Sequence, residues 1–527
     1  MDRLPSREPG ELLTYSSKHL ADSIRLLSVN EHKRVSFKFC LDDCEVLSNL
    51  QQKSVNTLVR ISQHPISWVV SSVGALYDST ETFLEQQPLT DADRRIIQLD
   101  RRTDFDFREL CQAVVSLRLL FSVSEKTRIE HRPTELADFF PLADLSNDIH
   151  SPRPGKLGVR NVNDIMETIA TRSMSPVAQN LIKAATLLQE SLDLRRQSAP
   201  STERHGSKRR RLPLYEAYTL LLWQGREDAF RTSFSADDVE RPLQYLDGFQ
   251  SPNFMAWLRR KQRAAMLHFA SSLGFRRLPL AGAPIVISLA DGSIRDFLEI
   301  MGEVYEAYTK DRKLDSSKIE TMDRFATART TIAFDTQTDG IYAASSSYMA
   351  GVSSRADRNS DVVNRLIEGL GFYTSALQSS PDDPSVLGRA ERGVFTIKFS
   401  ATAPTFIGDT APDRESAVWR TIRQAEIAGY LRTVSVKQDE PTSLGDVEEQ
   451  RGRSVTFRLH RRFAPHFRFS FRGAYEVVSL PPAALWPLCD PSAPADPRAW
   501  AELQLRGAPL LEEAQLSLWE VLELPND

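Results

Sequence analysis

Two adjacent acids, Asp42 and Asp43, end an apolar, β-prone run that begins at Val35 (VSFKFCLDD). A strand with two carboxylates at its tip can set one beside a nucleotide's Mg²⁺, a hard cation that takes oxygen ligands and keeps several waters. The second carboxylate can then orient or activate the attacking water. The same residues admit a plainer reading, a strand running into a helix that Asp43 caps near Val46. A second strand-like run, Ile66–Val73 (ISWVVSSV), carries Ser71 and Ser72 at its end. Further on, LTDADRRIIQL places Arg94 and Arg95 just before a short β-prone stretch. DGSIRDFLEI, from Asp291 to Ile300, opens a helix with Arg295 in its first turn.

A different chemistry lies in residues 451–475. This stretch holds seven arginines, two histidines and no acid, with six aromatics interleaved. Strand alternation in FRFSFRGAY would put the aromatics on one face and Arg468 and Arg472 on the other. Outward arginines on a β-ribbon suit phosphate contact, which positions a protein on a duplex and makes binding salt-dependent. Arg453, Arg458, Arg461, Arg462 and Arg468 are the expected DNA contacts. The alternative is a strand pair whose aromatics fill the core while its arginines pair with the acidic tail.

These residues need elements to position them. Residues 35–120 alternate strand and helix: Val35–Leu41, Leu47–Ile61, Ile66–Val73 and Asp104–Leu120. That rhythm predicts a parallel sheet covered by helices. Residues 195–213 are rich in Ser, Pro, Gly and positive charge and lack apolar content, which predicts a disordered linker. The chain then reads as mostly helical from Leu214 to Tyr308, including an amphipathic helix over Phe254–Leu273. Beyond about residue 325, helices at Val362–Leu370 and Ala417–Tyr430 alternate with strands at 394–399, 455–459, 467–471 and 475–480. The expected division is 1–130, a partial parallel-sheet core; 131–213, a helical insertion and basic linker; 214–325, a helical lid; 326–480, a winged-helix-like domain; and 481–527, an acidic, Pro-rich tail with a short helix near Leu510–Leu522.

Composition narrows the rest. With 527 residues and a net charge of -4, the chain is no basic nucleic-acid coat, so any such contact must be local. Its four cysteines form no C-x-x-C pair, which argues against zinc and against a disulfide framework. Met1–Asn30 has no apolar segment of the signal-peptide kind, and no run approaches a membrane span; a cytoplasmic protein without membrane contact is expected.

In this order, the acid pair, the polar strand tip, the arginine pair and the Gly-x-x-Arg helix resemble the AAA+ ATPases of the origin-recognition type, and above all their prokaryotic members. The stretches SFKFCLDDCEVLSNLQQKSVNTLVR, ISWVVSSV and FRLHRRFAPHFRFSFRGAY carry the similarity, which spans roughly residues 35–120, 285–310 and 340–480. The resemblance implies an α/β plus α architecture: a partial AAA+ parallel sheet with covering helices, a helical lid and a C-terminal winged helix. It implies ATP and Mg²⁺ as cofactors. Asp42 then matches the Mg²⁺-associated acid, Asp43 the catalytic position usually held by glutamate, and Ser71 or Ser72 the sensor-1 position, with Ser72 taken as the catalytic residue. Arg94 matches the arginine finger and Arg295 the sensor-2 residue that contacts nucleotide. Duplex DNA and a second ATPase subunit, identical or related, are the implied partners.

One departure stands at the front. A P-loop needs a Gly-rich turn with Gly-Lys-Ser/Thr to hold the β- and γ-phosphates. Before Val35 the only glycine is Gly10, and Lys156 in PRPGKLG comes too late and lacks the following hydroxyl. Either the chain begins inside a longer gene product or it is a degenerate member, and tight ATP binding by this polypeptide alone is not expected. Three functions follow: a nucleotide-switched, DNA-associated ATPase relative; a non-catalytic scaffold that binds DNA or a protein partner; or an unrelated winged-helix regulator.

Overall fold

The computed structural model describes chiefly residues 36–44, 47–62, 65–72, 80–90, 92–97, 104–130, 277–328, 332–354, 360–380, 392–399, 414–433, 454–471, 476–492 and 494–507. The expected linker at 195–213, most of the helix at Phe254–Leu273 and the helix near Leu510–Leu522 lie outside them. The chain divides into two compact units, Met1–Arg102 and Thr103–Asp527. The helix that begins at Asp104 therefore belongs with the second unit and not with the acid-bearing strands.

In the first unit, β1 (Phe37–Leu41) and β2 (Ile66–Val70) pair in parallel, Phe37 opposite Ile66 and Leu41 opposite Val70. Parallel neighbours need a crossover, here α1 (Asn49–Ile61). Its N-cap is Ser48 and not Asp43. The Ser48 hydroxyl accepts from the Gln51 amide while the Gln51 side chain accepts from the Ser48 amide at 2.9 Å. Ser-x-x-Gln is the reciprocal capping pattern that satisfies two otherwise orphaned donors. The buried side chain of Asn56 is matched by donating to the Glu81 carbonyl, 3.0 Å, tying α1 to the segment 80–97.

The second unit is helix-rich. In chain order it contains α2 (Asp104–Ser122), α3 (Glu125–Glu130), α4 (Ala283–Leu289), α5 (Ile294–Asp311), α6 (Ile319–Ala326), α7 (Phe334–Ser354) and α8 (Ser360–Ser379). Then come β3 (Arg392–Lys398), α9 (Arg414–Ile427), β4 (Leu431–Thr433), β5 (Ser454–Leu459), a 3₁₀ turn (Arg461–Phe463), α10 (Ala464–Phe467), β6 (Glu476–Ser479), α11 (Pro482–Cys489) and α12 (Pro497–Gly507). The mixed sheet has the order β4-β5-β3-β6, with β3 antiparallel to β5 and parallel to β6, and β4 antiparallel to β5.

Two expectations are corrected here. Residues 467–471 form no strand: α10 ends at Phe467, and Arg468 follows in the left-handed region at φ 61°. The part of the tail from Pro482 to Gly507 is not an acidic extension but two helices in the core, where Leu485, Leu488 and Trp500 are buried. Glycines in α8 make this packing fit. A Cβ on Gly369 would come within 2.6 Å of Leu488, and one on Gly371 within 2.6 Å of the Phe467 ring.

Gly340 sets how closely α5 and α7 approach. A Cβ there would lie 2.6 Å from the backbone Cα of Val304. Backbone cannot rotate away, so Gly340→Ala should force the helices apart and cost about 3 kcal/mol, at the upper end of overpacking penalties. Chemical denaturation of the variant against wild type measures this, and a change below about 0.5 kcal/mol would contradict the packing.

Candidate functional site

The parallel ladder continues one step past the strands. Ser71 donates its backbone N–H to the Leu41 carbonyl, 2.9 Å, and Cys44 donates to the Ser71 carbonyl, 3.0 Å. These bonds hold the two strand tips side by side, so the Ser71 hydroxyl donates to Asp42 Oδ1. The chain then turns through Asp43 at φ 54°, which aims the Asp43 amide at the same oxygen, 3.1 Å away. The Ser71 hydroxyl first, and the Asp43 amide second, hold the Asp42 carboxyl below the usual carboxylate range. The result is an exposed, ionised carboxylate with an adjoining hydroxyl.

Of the two serines, it is Ser71 that touches the acid, not Ser72. Their alternation decides it, because successive residues of an extended chain face opposite ways. Arg94 lies in the segment 80–97, half-buried, with its Nε buried and without a hydrogen-bond partner. Its neighbour Asp93 instead pairs with Arg60 of α1.

Asp42 and the Ser71 hydroxyl supply oxygen chemistry that fits one side of a Mg²⁺, which needs few protein ligands. Among the described residues no group of three or more His, Cys, Asp or Glu gathers to hold a metal. The described residues of this unit include no Gly-Lys-Ser/Thr cradle for phosphates. Among the described residues of this unit, Asp42 and Ser71 fit the metal side of a nucleotide site.

In the second unit, Arg295 stands exposed in the first turn of α5. With Arg118 of α2, Ile294, Leu298 and Glu299 it lines an open cavity of about 470 Å³. Ser293 caps this helix, its hydroxyl accepting from the Asp296 amide at 3.3 Å. The preceding Asp291 and Gly292 both take positive φ, 52° and 83°.

That strained turn is held by the basic segment, and here the expectation of outward arginines is corrected. Arg458 donates both terminal nitrogens to Asp291, at 2.6 and 2.7 Å. Arg462 is 3% exposed; it pairs with Asp296 at 2.8 Å and with Glu299, donates to the Ala344 carbonyl at 3.2 Å, and stacks over the Tyr348 ring at 4.4 Å. Arg461 turns its Nε to Asp291 at 3.5 Å. The partners of Arg458, Arg461 and Arg462 among the described residues are thus acids at the start of α5. Phe457, Phe463, Phe467, Phe469 and Phe471 all lie in the core. Arg453 lies outside the described residues, and Arg468 ends α10.

His460 completes the cluster. Its Nδ1 accepts from the Arg462 amide, 3.2 Å, which leaves the proton on Nε2, 3.4 Å from Asp296. Complete burial pushes the imidazole down to about 4 against the pull of Asp291 and Asp296, so the ring is neutral at physiological pH. Burial works against the Asp291 charge too, but Arg458, His460 and Arg461 outweigh it and hold the carboxyl far below its usual range. Nothing in the sequence spacing pairs residue 291 with residue 458; a polar turn followed by a helix reads as an ordinary cap.

The described elements are mixed, a small parallel sheet and a small mixed sheet among many helices, an α/β plus α arrangement. A family model described as ORC-CDC6-like matches residues 3–480, and the chain belongs to that family. No match emerges among curated proteins or solved structures. Members of this family usually bind ATP with Mg²⁺. No described helix is long and apolar enough to cross a membrane.

Proposed function

We propose that this chain is an origin-recognition-like protein that binds duplex DNA through a winged-helix-like C-terminal part and keeps half of a nucleotide site. The observation that carries the reading is the order β3-α9-β4-β5, in which the hairpin strand β5 pairs back onto β3. A helix placed just before a two-stranded wing is the arrangement that presents a recognition helix to a groove. Val418, Thr421, Ile422 and Ala425 anchor α9 in the core, while Arg414 and Arg420 remain exposed. The proposed phosphate contacts therefore move from Arg458 and Arg462 to α9.

In the nucleotide half, Asp42 is the Mg²⁺-associated acid, Asp43 the acid beside it, and Ser71 the sensor in place of Ser72. Arg94 serves a neighbouring subunit's nucleotide, and Arg295 serves as sensor 2. The direct bond between Asp42 and Ser71 supports the assignment of those two residues.

Binding of a short duplex across a salt series tests the DNA reading. Arg420→Ala should flatten the slope of log K against log salt by about 0.9, one phosphate contact, with folding intact. A wild-type slope near zero would rule out DNA and favour the scaffold reading, with a protein partner on this surface.

A further inference from the structure

Three guanidinium groups converge on the single carboxylate of Asp291. Arg458 occupies both oxygens, and the Arg461 amide adds a longer bond to Oδ2 at 3.3 Å. The Asp291 side chain is only 4% exposed and has little acceptor capacity left. Yet Arg432 and Arg461 still stand beside it, their Nε atoms 4.0 and 3.5 Å away, buried and without a hydrogen-bond partner. The other acids of the cluster do not offset them, because Arg462 engages both Asp296 and Glu299. His460, 3.5 Å from an Arg432 nitrogen, is neutral and brings no negative charge. Among the described residues, no second carboxylate faces Arg432 or Arg461.

Exposure separates these two arginines from the rest. The Arg432 side chain is 34% exposed and that of Arg461 23%, against 14% for Arg458 and 3% for Arg462. One comes from β4 and the other from the 3₁₀ turn after β5, elements that the β4–β5 pairing holds in register. Two like charges confined together in partly desolvated space are costly unless an anion joins them. The planar guanidinium fork suits a phosphate, to which it donates two parallel bonds.

We propose that Arg432 and Arg461 form a phosphate-binding site, preorganised by the buried Arg458–Asp291 pair. The phosphate is either free or part of a nucleic-acid backbone. The site is built from β4 and the 3₁₀ turn, not from the exposed arginines of α9, and does not depend on the winged-helix reading.

The full chain is titrated with inorganic phosphate at constant ionic strength, with chloride as control, and separately with a short duplex across a salt series. Arg432→Gln/Arg461→Gln, checked for folding by circular dichroism, should weaken inorganic phosphate by about tenfold or more, given the strength of charge-assisted bonds. If the phosphate is instead that of a backbone, the double variant should leave the free-phosphate arm silent and flatten the duplex slope by roughly two. Arg420→Ala should leave the free-phosphate arm unchanged, so a failure of the α9 assignment is distinguishable from a failure here. Arg461→Lys keeps the charge but loses the fork, and should weaken binding in the same arm even if the double variant does not fold. Unchanged affinity and slope in a folded double variant would overturn the site, as would a wild-type chain that binds neither probe.

Discussion

Arg462→Ala should lower the stability of the second unit by about 3–5 kcal/mol, the cost of breaking a buried ion pair from one side. Arg462 is 3% exposed and joins four groups: Asp296, Glu299, the Ala344 carbonyl and the Tyr348 ring. Its removal leaves the buried Asp296 carboxylate with neutral His460 as its remaining close partner in this cluster. It also leaves space beside Tyr348 and Phe463, whose rings lie 4.8 Å apart. Arg461→Ala is the comparison, since its longer contact with Asp291 is partly exposed and should cost less than about 1 kcal/mol. Urea denaturation of both variants measures the difference. Equal and small losses would mean that the cluster does not hold the α5 turn.

The second large effect is on pH. The His460 ring is fully buried among Asp291, Asp296, Arg432, Arg458 and Tyr348, and burial pushes it from 6.5 down to about 4. The unfolded chain therefore takes up this proton first as the pH falls. The stabilisation from keeping the ring neutral is complete above about pH 6.5 and is lost progressively between 6.5 and 4. At about 1.4 kcal/mol for each pH unit, the loss over that window is about 3 kcal/mol. Asp291 acts in the other window. Its carboxyl is depressed below 3.8, so its contribution is present above that value and is lost only as the pH falls further. Stability measured from pH 7 to 4 should thus decline in wild type and decline less, by about that amount, in His460→Gln. Parallel curves for the two proteins would show that His460 is not the group responsible.

The acid pair at the strand tips was legible because it is local. An apolar run ending in Asp42 and Asp43, then a second run ending in serine, fixes parallel strand tips by a β-α-β rhythm alone. Which serine meets the acid depends on register, and the pairing sets Ser71, not Ser72, against Asp42. The helix over Asn49–Ile61 was likewise local, but its cap at Ser48 was hidden behind the more conspicuous acids.

By itself the sequence determined the β-α-β order of residues 37–70, the strand-tip acids and the membership that their arrangement suggests. Only tertiary structure decided what the basic segment does. Charge segregation marks residues 451–475 as unusual, but a run of arginines looks the same whether its counter-ions are phosphates or carboxylates 166 and 167 residues away. Asp291 and Asp296 are those carboxylates for Arg458 and Arg462, presented by the turn before α5 and by its first turn. The tail follows the same rule: Pro and acid suggest an extension, yet Leu488 and Trp500 fill space that Gly369 of α8 leaves open. Local pattern sets what a segment can form; the burial that decides whether it does so depends on residues far away in sequence.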